Sequence, residues 1–187
     1  QTITVAISGT NDAPVTTPVA LNAIAEDSGA RLITQAELLA NASDVDGPSL
    51  TATNLTIASG NGSLVNNGDG TWSYTPALND DSAVSFSYTI TDNGTTNGVA
   101  DPKSVAGTAT LDITPVNDAP VNSLPASYTT NEDTALKLSG LSVSDVDAAS
   151  GIMSVTLAVA SGTLAAVAAT GVTVTGSGTG NLVLSGT

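Results

Sequence analysis

Asn117-Asp118-Ala119-Pro120-Val121 is the second copy of a pentapeptide first met at Asn11-Asp12-Ala13-Pro14-Val15, 106 residues earlier. Two further pairs keep the same order. Glu26-Asp27-Ser28 returns at that offset as Glu132-Asp133-Thr134, and Ser43-Asp44-Val45-Asp46 returns as Ser144-Asp145-Val146-Asp147 at an offset of 101. Three motifs recurring in one order at this spacing make a tandem repeat of domain size. Each carries carboxylates, and the pentapeptide stands where one repeat gives way to the next. The five-residue difference between the offsets falls between the second and third motifs. There the first repeat holds Thr34-Gln35-Ala36-Glu37, a capping box ahead of Leu38-Leu39-Ala40. One or two helical turns are expected over residues 35–40, and the second repeat lacks them.

The repeat reads as strands and turns. Val84, Phe86, Tyr88 and Ile90 alternate with Ser85, Ser87, Thr89 and Thr91, the period of a half-buried strand. Residues 107–114 repeat the pattern with Ala109, Leu111 and Ile113 inward, and residues 2–8 do so with Ile3, Val5 and Ile7. A strand is expected around 50–58, with a Gly/Asn turn at 60–62. Leu64-Val65 and Thr71–Thr75 flank Asn66-Asn67-Gly68-Asp69-Gly70, a hairpin signal that puts Trp72 and Tyr74 on one face. Residues 94–106 read as a long polar loop. Pro14 and Pro18 favour an extended, edge-like entry. Seven short strands at this turn spacing predict a β-sandwich. In the second repeat strands are expected at 135–143, 152–160, 171–175 and 181–185.

Three divisions follow. Residues 1–10 read as the last strand of a preceding repeat, 11–116 as a complete repeat, and 117–187 as an incomplete one without counterparts of 84–91 and 107–114. The polypeptide is therefore expected to continue on both sides, or another chain to supply strands in place, since residues 117–187 alone would leave Val155, Leu157, Val172 and Val174 uncovered and sheet edges open.

Composition narrows the chemistry. The 187 residues are 41% apolar but only 3% aromatic, so Val, Ile, Leu and Ala must carry most of the packing. Formal charge is −14, with Arg31, Lys103 and Lys137 the three basic residues. That balance excludes nucleic acid as a partner and disfavours an anionic membrane surface. There is no Cys and no His, which removes disulfides and makes zinc, copper and haem sites improbable. No apolar run approaches the ~20 residues that span a bilayer. A cation bound through oxygen is the natural partner. Calcium takes six to eight oxygen ligands, mostly carboxylates and carbonyls. Asp-x-Asp on a loop presents two carboxylates in one direction, Asn-Asp adds a carbonyl and a carboxylate, and the following Pro fixes the direction of the chain. Carboxylates crowded without a cation repel. The plainer alternative is that these Asp and Asn residues only form turns on a solvated surface. Asp80-Asp81 could pass for an acid–base pair, but nothing places it in a cleft and no His or Cys nucleophile exists, so no enzyme is expected.

These motifs together resemble the cadherin-like repeats found in tandem in giant bacterial surface adhesins of the RTX type. Glu26-Asp27-Ser28-Gly29 is similar to the Glu-Asn-x-x-Gly of the first cadherin strand, and Asp44-Val45-Asp46 to the cadherin Asp-x-Asp. Leu78-Asn79-Asp80-Asp81 stands where cadherins have Leu-Asp-Arg-Glu. Tyr88-Thr89-Ile90-Thr91-Asp92-Asn93-Gly94 resembles Val-x-Ala-x-Asp-x-Gly, and Val116-Asn117-Asp118-Ala119-Pro120 resembles the linker Val-Asn-Asp-Asn-Ala-Pro, one Asn shorter. The likeness covers residues 11–121 well and 122–164 in part. It implies an all-β fold of tandem Greek-key sandwiches joined end to end, with Ca2+ at two junctions. At the first, Asn11 and Asp12 would meet Asp44, Asp46 and Asp92. At the second, Glu26 and Asp81 would meet Asn117, Asp118, Asp145 and Asp147. Gly9 and Pro115 replace the linker aspartate and Asn79 replaces another, so one or two ions per junction are expected where cadherins hold three. The implied role is an extracellular spacer on a bacterial cell surface, its partners the neighbouring repeats, that projects a distal binding domain for cell adhesion. A glycan- or protein-binding module using the 94–106 loop, and a filament-forming repeat built by self-association, are the alternatives.

Overall fold

The computed structural model describes residues 3–4, 9–47 and 49–187. The strand expected over 2–8, and with it the reading of residues 1–10, lies outside the described residues. The chain divides into two units at the Val116/Asn117 boundary.

In the first unit the strands are β1 (Val19–Ala25), β2 (Arg31–Ile33), β3 (Thr51–Ser59), β4 (Ser63–Asn66), β5 (Trp72–Thr75), β6 (Val84–Thr91), β7 (Thr95–Thr96), β8 (Val99–Ala100) and β9 (Ser104–Thr114), with one helix, α1 (Gln35–Leu38). One sheet runs β1-β9-β6-β3 and the other β2-β5-β4, with β7 and β8 as a separate short hairpin. β1 lies parallel to β9, pairing Val19 with Ala109 and Leu21 with Leu111, while β9–β6 and β6–β3 are antiparallel. Alternation in β6 and β9 sends Val84, Phe86, Tyr88, Ile90, Ala109, Leu111 and Ile113 inward, where they meet Ile33, Trp72 and Tyr74 from the other sheet in one core. Each such fully buried large apolar side chain contributes about 1.5–3 kcal/mol. Tyr74 and Phe86 meet edge to face across the two sheets, ring centroids 5.4 Å apart at 87°. The outward hydroxyls pair across strands, Thr56 with Ser87 at 3.0 Å and Thr91 with Ser104 at 2.8 Å. These pairs hold the register set by the buried face.

Two tyrosine hydroxyls that enter the core are satisfied. Tyr88 Oη donates to the Leu38 carbonyl at 2.7 Å, which ties α1 to the main sheet, and Tyr74 Oη donates to the Asn61 carbonyl at 2.6 Å. Gly62 sits at φ +116° against the Tyr74 ring, a conformation and a closeness that exclude a side chain. The expected capping box is present. Thr34 Oγ1 accepts from Glu37 N, the Glu37 carboxylate accepts from Thr34 N, and Arg31 pairs with Glu37 at 2.7 Å. Burial pushes the Glu37 carboxyl up, but the Thr34 donors and Arg31 outweigh it and hold it below its usual value.

Two expectations for this unit change. Residues 94–106 are not one open loop: β7 and β8 fold back on each other, and β9 begins at Ser104 because Val105 pairs opposite Ile90 and Ser104 opposite Thr91. Nine strands are therefore formed among the described residues where seven were expected.

The second unit holds β10 (Val121–Ser123), β11 (Ser142–Ser144), β12 (Met153–Ala158), β13 (Val172–Thr175) and β14 (Asn181–Gly186). β10 pairs with β11, and β12-β14-β13 form an antiparallel sheet. The strand expected over 135–143 is present only as β11; Leu136 and Leu138 stay exposed because no neighbouring strand takes up their backbone groups. Leu164 and Leu182 are the buried apolar side chains recorded in this unit. Leu141, Val143, Met153, Val155, Val172 and Leu184 line an apolar groove of about 310 Å³.

The close packing of the first unit gives a direct test. A Cβ at Gly107 would lie inside van der Waals contact with the Tyr88 ring, which its bond to Leu38 keeps from retreating. Gly107→Ala should destabilise the first unit by about 1–3 kcal/mol, read by denaturant unfolding of the single tryptophan, Trp72, which is 3% exposed. An unchanged midpoint would contradict this packing.

Candidate functional site

The pentapeptide and the Asp-x-Asp loop converge within each unit by the same two devices. The first is a backbone bridge. Val15 of the first pentapeptide exchanges both hydrogen bonds with Ser43, the residue before Asp44, each at 2.9 Å. Val121 of the second pentapeptide pairs with Ser144, the residue before Asp145. The second device is a carboxylate clamp. Asp12 N donates to Asp46 Oδ2 at 2.7 Å, and Asp46 N to Asp44 Oδ1 at 2.8 Å. Its counterpart has Asp118 N donating to Asp147 Oδ2, and Asp147 N to Asp145 Oδ1 at 2.9 Å. Each pentapeptide is thereby laid against the Asp-x-Asp loop of its own unit, with the loop's first carboxylate folded into a local turn.

Around Asn11 the first unit adds a third device. Asn11 is 6% exposed and Asp92, just past β6, 4%. Asn11 Nδ2 donates to Asp92 Oδ1 at 3.0 Å, Asp92 Oδ2 at 3.1 Å and the Asp101 carbonyl at 2.9 Å. Asp92 Oδ1 also accepts from Gly94 N at 2.9 Å and Lys103 N at 3.0 Å. Asn11 N donates to Thr96 Oγ1, whose hydroxyl donates to Asp101 Oδ2, and Lys103 Nζ bridges to Asp101 Oδ1 at 2.8 Å. Burial pushes the Asp92 carboxyl up, but the Gly94 and Lys103 N–H groups and the Asn11 amide outweigh it, so Asp92 titrates below its usual value. Lys103 and Thr96 hold Asp101 low as well. Thr96, Asp101 and Lys103 carried no motif, and only their place in the polar 94–106 stretch pointed towards them.

The remaining expected residues take separate places. Glu26 follows β1 and is buried, its Oε1 accepting from Val116 N at 2.7 Å. Asp81 is exposed. Its neighbour Asp80 accepts from Asn61 and Ser82, which hold its carboxyl below the usual value. The loop that carries them is fastened by Asp27, a residue of the repeated Glu26-Asp27-Ser28 motif that had been given no ligand role, which accepts from Asn79 N at 2.9 Å. Asn117 is exposed, with Nδ2 donating to the Asp118 carbonyl at 2.8 Å.

The oxygen chemistry suits a hard cation. Two buried oxygens in the first unit, Asn11 Oδ1 and Asp44 Oδ2, lack a hydrogen-bond donor. Buried acceptors are normally satisfied, and an orphan calls for an ion or water. Asn11, Asp46, Gly47 and Gly94 border an open polar recess of about 610 Å³. Among the described residues no three acidic side chains stand close enough to form a carboxylate cage by themselves.

A family model described as "Cadherin-like domain" matches residues 10–114. No curated protein matches. Among solved structures, similarity is found to a nucleoside hydrolase-related hypothetical protein from Saccharophagus degradans, at 19% identity and TM-score 0.37, over 55% of this chain and 26% of that one. The endo-fucoidan hydrolase MfFcnA4 of glycoside hydrolase family 107 is similar at 17% identity and TM-score 0.35, over 94% of this chain and 24% of that one. The chain thus spans about a quarter of the length of either protein.

The depressed Asp92 carboxyl sets a pH dependence. Its contribution is fully present above the unfolded carboxylate value, about 4, and is lost as pH falls through the lower folded value. The Trp72 unfolding midpoint should therefore fall on acidification below about pH 4, and Asp92→Asn should flatten that fall. An acid limb identical in the two proteins would show that Asp92 does not contribute to it.

Proposed function

The chain belongs to the cadherin-like domain family, and on that premise we propose that it forms calcium-stiffened spacer repeats of an extracellular bacterial surface adhesin of the RTX type. The observation that carries this is the clamp built twice: the same pentapeptide, the same bridge to the residue before Asp-x-Asp, and the same N–H to the second carboxylate. A turn-forming role accounts for one Asp-x-Asp loop. It does not account for a pentapeptide fastened to that loop in the same register in both units.

In the first unit Asn11 Oδ1, Asp44 and Asp46 would hold the ion, with carbonyl and water oxygens completing a shell that the carboxylates alone do not close. In the second unit Asp145, Asp147 and the Asp118 region are the equivalent set, with Asn117 beside them. Bound calcium would supply positive charge opposite the Asp44 and Asp46 carboxylates. The chain's own residues do the mechanical work. The N–H clamp holds the pentapeptide on the loop, Pro14 and Pro120 restrict its exit direction, and the bridge transmits that direction into the sheet. Stiffness is then conditional on calcium, which suits a spacer that works outside the cell. No helix among the described residues is long and apolar enough to cross a membrane. The net charge of −14 favours a cationic ligand over an acidic one.

Ligand that binds only the folded form stabilises by about 2–4 kcal/mol at 100 to 1,000 times Kd. Thermal or denaturant melts in saturating calcium should rise above those in chelator by that amount. Asp44→Ala should abolish most of the first-unit increment while leaving the calcium-free stability within about 1 kcal/mol of wild type. Superimposed melts with calcium and with chelator would reject the calcium reading.

A further inference from the structure

The first unit carries four Asn-Gly pairs: Asn61-Gly62, Asn67-Gly68, Asn93-Gly94 and Asn97-Gly98. Glycine has no side chain to shield its backbone nitrogen, so that nitrogen can reach Cγ of the preceding asparagine and close a five-membered imide. Ring closure has two requirements. The glycine N–H must be free to lose its proton, and the asparagine amide must be free to turn towards it.

At three of the pairs the fold withholds at least one requirement. Asn61 Nδ2 donates to Asp80, the Asn61 carbonyl accepts from Tyr74 Oη, and Gly62 lies against the Tyr74 ring. Asn67 is held at both ends of its amide, Nδ2 donating to Thr71 Oγ1 at 2.9 Å and Oδ1 accepting from Ser73 Oγ at 3.1 Å, and Gly68 N donates to Asn66 Oδ1 at 2.9 Å. Gly94 is buried, and its N–H donates to Asp92 Oδ1 at 2.9 Å, where the carboxylate opposes loss of the proton.

Asn97-Gly98 is built differently. It is the two-residue turn between β7 and β8, with φ +53° and +78°, flanked by the pairing of Thr96 with Val99. Both residues are exposed, and a Cβ at Gly98 would meet nothing within 4 Å. Among the described residues neither the Asn97 amide nor Gly98 N has a hydrogen-bond partner. Closure still requires Gly98 N to swing round onto Cγ. The β7–β8 hairpin, two residue pairs set apart from both sheets, can open to permit it.

We infer that Asn97 is a self-modification site: its amide is lost to Gly98 N, and the isoaspartyl product loosens the hold of the hairpin on the first pentapeptide. Gly98 N gives its proton to hydroxide and attacks Asn97 Cγ. The N–Cγ bond forms, the Cγ–Nδ2 bond breaks, and Nδ2 leaves as ammonia. Water then opens the ring at either carbonyl, giving aspartate or isoaspartate and one added negative charge. Isoaspartate carries the side-chain methylene in the main chain, so a two-residue turn no longer holds Thr96 opposite Val99. Thr96 Oγ1 accepts from Asn11 N at 2.9 Å and donates to Asp101 Oδ2 at 2.7 Å. A displaced Thr96 releases both. No bound ion is needed for any step.

The test is to age the full chain below its melting temperature at several pH values and to follow the four asparagines by peptide mapping with mass spectrometry. Asn97 should lose its amide about tenfold or more faster than Asn61, Asn67 or Asn93, the factor for breaking a hydrogen bond first, and faster as pH rises. In denaturant the four rates should converge. A native Asn97 rate no higher than the other three overturns the inference. So does an equal preference for Asn97 in denaturant, which would assign the difference to local sequence. The second readout is hydrogen exchange of the Asn11 backbone N–H by NMR. It should be faster in the separated isoaspartyl form at position 97 than in fresh protein or in Asn97→Asp, which has the charge without the longer main chain. Unchanged exchange in the isoaspartyl form, or equal acceleration in Asn97→Asp, overturns the loosening.

Discussion

The clamp between linker and loop is the constraint on which the arrangement depends. A backbone N–H reaching an aspartate carboxylate is a charge-assisted bond, about twice as strong as a neutral one. Here Asp12 N and Asp118 N each make one to the last residue of an Asp-x-Asp loop. Neither bond alone would hold an exposed segment. Each works because the Val15–Ser43 and Val121–Ser144 bridges already align the two segments. The loop in turn precedes β3 in one unit and β12 in the other, so linker direction is coupled to sheet direction through a few covalent bonds.

The core of the first unit makes that coupling meaningful. Its main sheet is pinned to the second by Tyr74 on Phe86 and to α1 by Tyr88 on Leu38. Few aromatics are present, and three of them serve as these pins, with Val, Ile and Leu filling the space between. The second unit shows the same linker attachment on a barer sheet, where Met153, Val155 and Val172 are only half-buried. The attachment is therefore a local property of the motif and does not require a filled core beneath it.

Much of this was legible in the residues. Alternation over 84–91 and 107–114 identified the buried faces residue by residue, and Thr34 with Glu37 identified the capping box, because both signals are local. The parallel pairing of β1 with β9 was not legible, since nothing in a single strand records the direction of a partner about 90 residues away. Residues 94–106 were read as one long polar loop because the order there comes from Asp92 and Asp101 accepting N–H and hydroxyl donors, a pattern with no period. Leu136 and Leu138 had the right alternation but no partner strand, and periodicity alone does not form a strand. At the site, the resemblance named Asp44, Asp46, Asn11 and Asp92 together. It could not show which of their oxygens are left without hydrogen-bond donors, as in Asn11 and Asp44.

The central claim is that the oxygens left over by the clamp bind a cation. The most direct measurement is an experimental structure at saturating calcium with anomalous density. The account predicts an ion contacting Asn11 Oδ1 and Asp44 Oδ2 at calcium–oxygen distances of about 2.3–2.6 Å. Finding those two oxygens hydrogen-bonded to water or N–H donors, with no ion at the Asp-x-Asp loops at saturating calcium, would contradict it.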